Sequence, residues 1–336
     1  MSLLHAEWRR LFKRRLTVWS LVLVLLVLGV TAVGIAFAHH KHSPAALAKA
    51  EARAAEEFEL QQEWIERDIE QCERDKANGI DTGWPENCGE IAMWATPQEE
   101  MVEWFLPPTF EFRERFPEVS MVVVGLLSMY AFVIGGSFIG AEWRSGGLMN
   151  LLLWRPRRLR VYGAKLVALL GGLTAIYVAV SAVWTPAMWV VAMARGVTDT
   201  MTTGAWQSFA LTGLRGLVLV LAAGAVSFGL ASIGRHIAAA LGSAVAAGVV
   251  GVVGVGIVVS LLQVKFPEAW VWTTYLEAWT DKVVVLQHWP SCEGVGAACD
   301  PETLEITWQT AGALMAGVVA LVTGAAMWLM RRRDIT

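Results

Sequence analysis

From Gly140 to Lys165 the chain reads GAEWRSGGLMNLLLWRPRRLRVYGAK, a basic segment wedged between two long apolar runs. A stretch with this much arginine does not rest in hydrocarbon, so the helices on either side of it must leave a membrane on the same face. An excess of Lys and Arg marks that face as the cytoplasm. A polar, partly helical loop held there is where a membrane protein would receive force or signal from a soluble partner.

Working outward, the composition excludes an ordinary soluble domain. Mean hydropathy is +0.49, and only 17% of the 336 residues are charged. The 17 tryptophans suit the headgroup level, where the ring and its N–H are both satisfied. A helix needs about 20 mostly apolar residues to cross a bilayer, and six runs qualify: 17–38, 119–140, 165–192, 207–233, 237–262 and 309–330. The third and fourth are interrupted by Pro186 and Arg215, so their limits are soft. The expectation is an all-α integral membrane protein with six transmembrane helices. It carries an N-terminal amphipathic interfacial helix (1–16) and a helical extracytoplasmic module (39–118).

Charge orients the spans. Arg9, Arg10, Lys13, Arg14 and Arg15 precede the first. The 141–164 loop carries Arg144, Arg155, Arg157, Arg158 and Arg160, with Lys165 at its edge. Arg235 sits between the fourth and fifth spans, and Arg331, Arg332 and Arg333 lie in the 331–336 tail. Only Glu7, Glu142 and Asp334 accompany these fifteen bases, while the other 27 acids lie in the alternate connections. Both termini of a multi-pass membrane protein are therefore expected in the cytoplasm. The first run is too long for a signal peptide, and His39-His40-Lys41-His42 is not a small-residue cleavage site, so it reads as a retained anchor.

In residues 1–16, Leu4, Trp8, Leu11 and Phe12 share one helical face, and Arg9, Arg10, Lys13 and Arg14 the other, the pattern of an interfacial helix. Residues 39–118 are acidic, with 19 acids against 8 bases. Pro44 to Asn78 reads as a helix through Phe58, Ile65 and Ile69. Beyond Gly79 the chain turns loop-like, and Trp84, Trp94 and Trp104 predict a small folded cap. All four cysteines, Cys72, Cys88, Cys292 and Cys299, fall in the external modules, as expected for oxidised thiols. Pairing Cys72–Cys88 and Cys292–Cys299 closes two short local loops; the alternative joins the two modules. The second module, 263–308, crowds Trp270, Trp272, Tyr275 and Trp279 into a short helix or re-entrant segment.

Several chemistries are missing. No Gly-Lys dipeptide occurs, so a Walker A loop is impossible here. There is no H-E-x-x-H and no C-x-x-C. His39, His40 and His42 form a polar junction at the end of the first span more readily than a metal site. The spans hold almost no ionisable groups apart from Arg215, which either snorkels outward or marks a path. Gly136-x-x-x-Gly140, and Gly242, Gly248, Gly251, Gly254 and Gly256 in the fifth run, allow close helix packing.

The start LLHAEWRRLFKRRLTVWS resembles the entry helix of bacterial ABC-2-type (type V-like) exporter permeases. Glu142-Trp143-Arg144-Ser145-Gly146-Gly147-Leu148 resembles their E-x-R-x-G-T-L signature. Leu151 to Leu153, Pro156, Arg158 and Lys165 follow in the family's order. ASIGRHIAAALGSAVAAG and the RRRDI ending are similar to that family's fifth-span entry and basic tail. Gly147 stands where Thr is common, and the first external module is large. The resemblance implies two six-helix subunits, a second permease copy or paralogue, and two cytosolic ABC ATPase subunits that hold the ATP and Mg. It assigns no cofactor to this chain and no nucleic-acid partner. Membrane lipid surrounds it.

The resemblance also implies that the 141–164 loop is a coupling helix, with ATPase contacts carried to Glu142, Trp143, Arg144, Gly147, Leu148, Arg155, Pro156 and Arg158. The second and fifth spans would line a path for a hydrophobic or amphipathic cargo: drug, lipid or modified peptide. The chain is then a transport subunit, not an enzyme. The alternative is an immunity or sensing subunit whose external module binds a peptide or envelope component without true transport.

Overall fold

A computed structural model of the chain describes residues 3–80, 83–85, 87–148, 150, 157–289 and 301–332. It is mostly helical, and six of its helices are long and apolar enough to cross a membrane. After a short α1 (Leu3–Lys13) these are α2 (Arg15–Ala38), α5 (Phe112–Arg144), α6 (Arg158–Arg195), α7 (Thr203–Gly234), α8 (Ile237–Leu261) and α10 (Trp308–Arg332). The chain is a multi-pass membrane protein. Several helices outrun the apolar segments that announce them. At 1.5 Å per residue, the 33 residues of α5 reach about 50 Å, beyond the ~30 Å hydrocarbon core. Their polar ends continue the helix where hydropathy has already fallen. Pro117 and Pro186 lie inside α5 and α6 without ending them, and Arg215 lies inside an unbroken α7. Neighbouring helices in a bundle tolerate such residues where isolated helices break.

The chain divides into two compact units, one of Met1–Thr31, Arg113–Ala187 and Met201–Thr336, the other of Ala32–Phe112 and Met188–Thr200. In the first, α5 and α7 form the centre: 61% and 50% of their most apolar windows are buried, against 6% for α8. Glycine sets their approach. A Cβ on Gly135 would overlap the Gly224 carbonyl, one on Gly136 the Ser227 hydroxyl, and one on Gly140 the Ile237 backbone. The Gly136/Gly140 pair therefore packs closely as its spacing predicts.

Of the α8 glycines, Gly251 packs against the Trp272 ring, but three others do not share that role. Gly242, Gly248 and Gly256 face open space, and Val249–Gly254 adopts π-helical geometry. These residues are small and apolar for a surface that the rest of the chain leaves bare.

The tryptophan-crowded part of the 263–308 segment forms a short helix, one of the two forms expected there, α9 (Trp272–Asp281). Beyond it lie strands that the sequence did not announce, β3 (Val283–His288) and β4 (Glu302–Thr307), paired antiparallel with Val283 opposite Thr307. The β-branched run Val283-Val284-Val285 favours the extended state. Ala278, Leu286, Ile306 and Ala311 form a small core under α9. Trp279 donates its Nε1 to the Arg215 carbonyl at 3.0 Å, and the Arg215 guanidinium lies 5.4 Å from the Trp308 ring centroid. Arg215 is thus covered by tryptophan. Cys292 and Cys299 lie outside the described residues.

The second unit is built on α3 (Pro44–Ala77), the helix expected there. Ser43 caps it by accepting from the Ala46 N–H, and Pro44 occupies the first turn, where its missing donor costs nothing. Cys72 and Cys88 are disulfide-bonded. The bridge sits in a core of Ile65, Cys72, Cys88 and Ile91, against which Ile69 and Trp84 pack. Trp84 Nε1 donates to Asp75 at 3.0 Å. Trp94 and Trp104 are instead exposed, so one of the three tryptophans builds the cap.

Helix α4 (Gln98–Phe105) lies against α3. A two-residue parallel pair, β1 (Phe110–Glu111) with β2 (Gly196–Val197), closes the unit. The histidines staple it: His39 Nδ1 meets the Ile35 carbonyl at 2.8 Å, and His42 Nε2 meets that of Pro107 at 2.9 Å. His40 receives Arg195 at 3.4 Å.

Candidate functional site

The described start of the 141–164 segment is held against α1. That helix carries one acid, Glu7, three residues after Leu4 and four before Leu11, so helical spacing puts the carboxylate on the apolar stripe. Leu11 and Glu7 both turn inward and are buried. Their partner is α6, where Gly172 admits the Leu11 side chain and approaches Trp8; a Cβ at Gly172 would overlap Leu11. Seven residues earlier on the same face of α6 stands Lys165, which is completely buried.

Lys165 Nζ lies 2.8 Å from Glu7 Oε2. It also reaches both carboxylate oxygens of Glu142, at 2.9 Å and 2.8 Å. One ammonium therefore joins α1, the end of α5 and the start of α6. Burying a lone ammonium is prohibitive, and two carboxylates offset that cost only when held in contact. Lys165 also lies 5.5 Å from the Phe138 ring centroid.

Two arginines surround this cluster. Arg10 is 3.6 Å from Glu7 and 3.9 Å from Glu142. Arg14, at the α1–α2 junction, donates to the Ser137 carbonyl at 3.1 Å and sits over Phe138 at 5.5 Å. Burial holds its pKa below the usual arginine value, an effect opposed by the charges of Glu142 and Glu7. A cleft of about 740 Å³ opens beside these groups, lined by Arg9, Arg10, Lys13, Arg14 and Glu142 among others. Its chemistry suits an anionic or hydrogen-bond-accepting partner.

The residues expected to contact an ATPase distribute unevenly. Glu142 belongs to the buried ion cluster. The Trp143 ring receives Arg235 at 5.2 Å. Arg235 has φ +56°, and so ends α7 in a left-handed turn. His236 then caps α8, its Nδ1 accepting from the Ala238 N–H at 2.9 Å. Arg144 is exposed, and Ser145–Gly146 form a turn with Gly146 at φ +70°. Gly147 is exposed and Leu148 fully buried. Arg158 reaches the Met330 carbonyl of α10 at 3.5 Å. Arg155 and Pro156 lie outside the described residues.

Glu142, Trp143 and Arg158 thus tie the end of α5 and the start of α6 to α1, to the α7–α8 turn and to the end of α10. Arg144 and Gly147 face outward. Sequence reasoning missed Glu7 and Lys165 as a pair. The signal was available in Glu7, the single acid on the apolar face of a basic helix. Compared with protein families, curated proteins and solved structures, the chain matches none.

Proposed function

We propose that the chain is the membrane-spanning subunit of an ATP-driven exporter, in a bacterial plasma membrane with both termini in the cytoplasm. The observation that carries this reading is the Glu7–Lys165–Glu142 cluster. It fastens the end of α5 to the entry helix and to α6, so that a push on the exposed Arg144 and the turn that follows it moves three elements together. A hinge between them would dissipate the push. The arginine excess at this end supports the cytoplasmic assignment.

In this reading two cytosolic ABC ATPase subunits, holding ATP and Mg, dock on Arg144, Gly147 and the neighbouring basic cleft. The sparsely covered, glycine-bearing face of α8 supports pairing with a second permease copy or paralogue. The apolar bundle supports a hydrophobic or amphipathic cargo. A second reading, a sensing or immunity subunit, is favoured by the disulfide-bonded core around α3, which is built to last in an oxidising space.

Tagged chain purified with its co-expressed ABC ATPase tests the first reading. Arg144→Glu should lower the complex's ATP hydrolysis at least tenfold while membrane expression stays unchanged. Recovery of the chain without any ATPase, or hydrolysis indifferent to Arg144→Glu, contradicts it.

A further inference from the structure

Well away from the ion cluster, α5, α6 and α7 enclose a second cavity of about 270 Å³. Val124, on its wall, precedes Glu142 by 18 residues, about 27 Å along α5. Phe116, Tyr177, Trp184, Trp206, Phe209 and Gly213 are among its lining residues, and no charged side chain among the described residues contributes. The volume is near the lower end of the ~300–1,000 Å³ typical of ligand pockets.

Two polar atoms on its lining residues lack partners. Ser120 Oγ and Trp184 Nε1 are both buried and make no hydrogen bond, and Trp184 as a whole is 6% exposed. Ser120, like Ser232 on α7, lacks the local bond that other hydroxyls of the apolar helices make. Thr31, Thr174 and Thr323 donate to the carbonyl four residues back, and Ser137 to the one three back. That local bond is the normal refuge for a hydroxyl in hydrocarbon. Tyr177, on the same wall, spends its hydroxyl on the Gly213 carbonyl at 2.8 Å. Ser120 and Trp184 thus each carry a donor without a partner among the described residues, costly in a mostly apolar site whose lining also holds the Ser181, Thr185 and Thr212 hydroxyls.

We propose that this cavity binds a neutral glycerolipid from the surrounding bilayer. An ester or hydroxyl oxygen of the lipid accepts from Trp184 and Ser120, and its chain lies among the aromatic rings. No described lining residue is a cation, which argues against an ionised headgroup, because a carboxylate or phosphate would be buried without a counter-charge. A plain hydrocarbon would leave both donors unpaired. The inference needs the membrane location and does not rest on the proposed transport activity.

The full chain in phosphatidylcholine nanodiscs, exposed to a diazirine-bearing monoacylglycerol and mapped by peptide mass spectrometry, tests this. Saturable labelling is expected within 116–124, 177–185 and 206–213, displaced by unlabelled monoacylglycerol and not by a chain-matched alkane. Ser120→Ala and Trp184→Phe should each weaken binding about tenfold, the worth of one hydrogen bond at the upper end of the neutral range. Gly213→Leu, which fills the cavity, should abolish it. Should Gly213→Leu fail to fold, the two milder variants carry the test alone. Unsaturable labelling spread over lipid-facing residues such as Leu23 and Val250 overturns the proposal. So does equal displacement by the alkane or by a lysophospholipid bearing a charged phosphate.

Discussion

Lys165 is the residue on which most depends. Replacing it with Met leaves Glu7 and Glu142 in an apolar site without their cation, and breaking a buried pair from one side typically costs about 3–5 kcal/mol. Lys165→Met should therefore destabilise the detergent-solubilised protein strongly. Adding Glu7→Gln should recover part of the loss, because one stranded charge is removed. Thermal unfolding monitored by tryptophan fluorescence reads both, and a double variant no better than the single one contradicts the pairing.

A milder electrostatic effect is expected at Glu302, where the hydrogen bond from Lys265 and then its charge hold the carboxyl below its ordinary value. A depressed carboxylate contributes stability above its unfolded pKa and loses it as pH falls through the folded one. Lys265→Ala should raise the Glu302 pKa toward the usual carboxylate range by NMR titration. Both groups are exposed, so the unfolding midpoint should scarcely move. Glu7 shows what was legible at this scale: its position on an apolar stripe could be read, but its partner 158 residues away could not.

Among the elements, the six spans were legible because hydrocarbon thickness imposes a length and a composition that no other solvent does. Their ends were not, since Glu114, Arg115 and Arg144 continue helices after the apolar signal stops. The β3–β4 pair was hidden for a different reason: Val283 to Leu286 is a short apolar run beside a cluster of tryptophans, and periodicity does not separate strand from helix there. Gly242, Gly248 and Gly256 of α8 carried the right small-residue signal but face open space, whereas Gly172, in an unremarked Gly171-Gly172 pair, seats α1. Gly172→Leu should displace Leu11 and cost about 1–3 kcal/mol by overpacking, releasing α1 to protease while α5 and α7 stay protected. In the other unit the Cys72–Cys88 bridge closes a separation of 16 residues. Replacing both cysteines with serine should lower that unit's stability by about 3 kcal/mol, seen as faster proteolysis between residues 44 and 105.

Across the whole molecule, a multi-pass bundle ends in a basic turn beside which α1, α5 and α6 are locked by one lysine. The proposed role requires that turn to face the compartment where an ATPase works. Position is therefore a more basic test than activity. Ser145→Cys, in a Cys292→Ser/Cys299→Ser background that keeps the Cys72–Cys88 bridge, can be probed with a membrane-impermeant maleimide on intact cells and after permeabilisation. No labelling is expected until the membrane is opened, then full labelling. Labelling of the Ser145→Cys variant on intact cells would place the turn outside the cell and contradict the proposed coupling role.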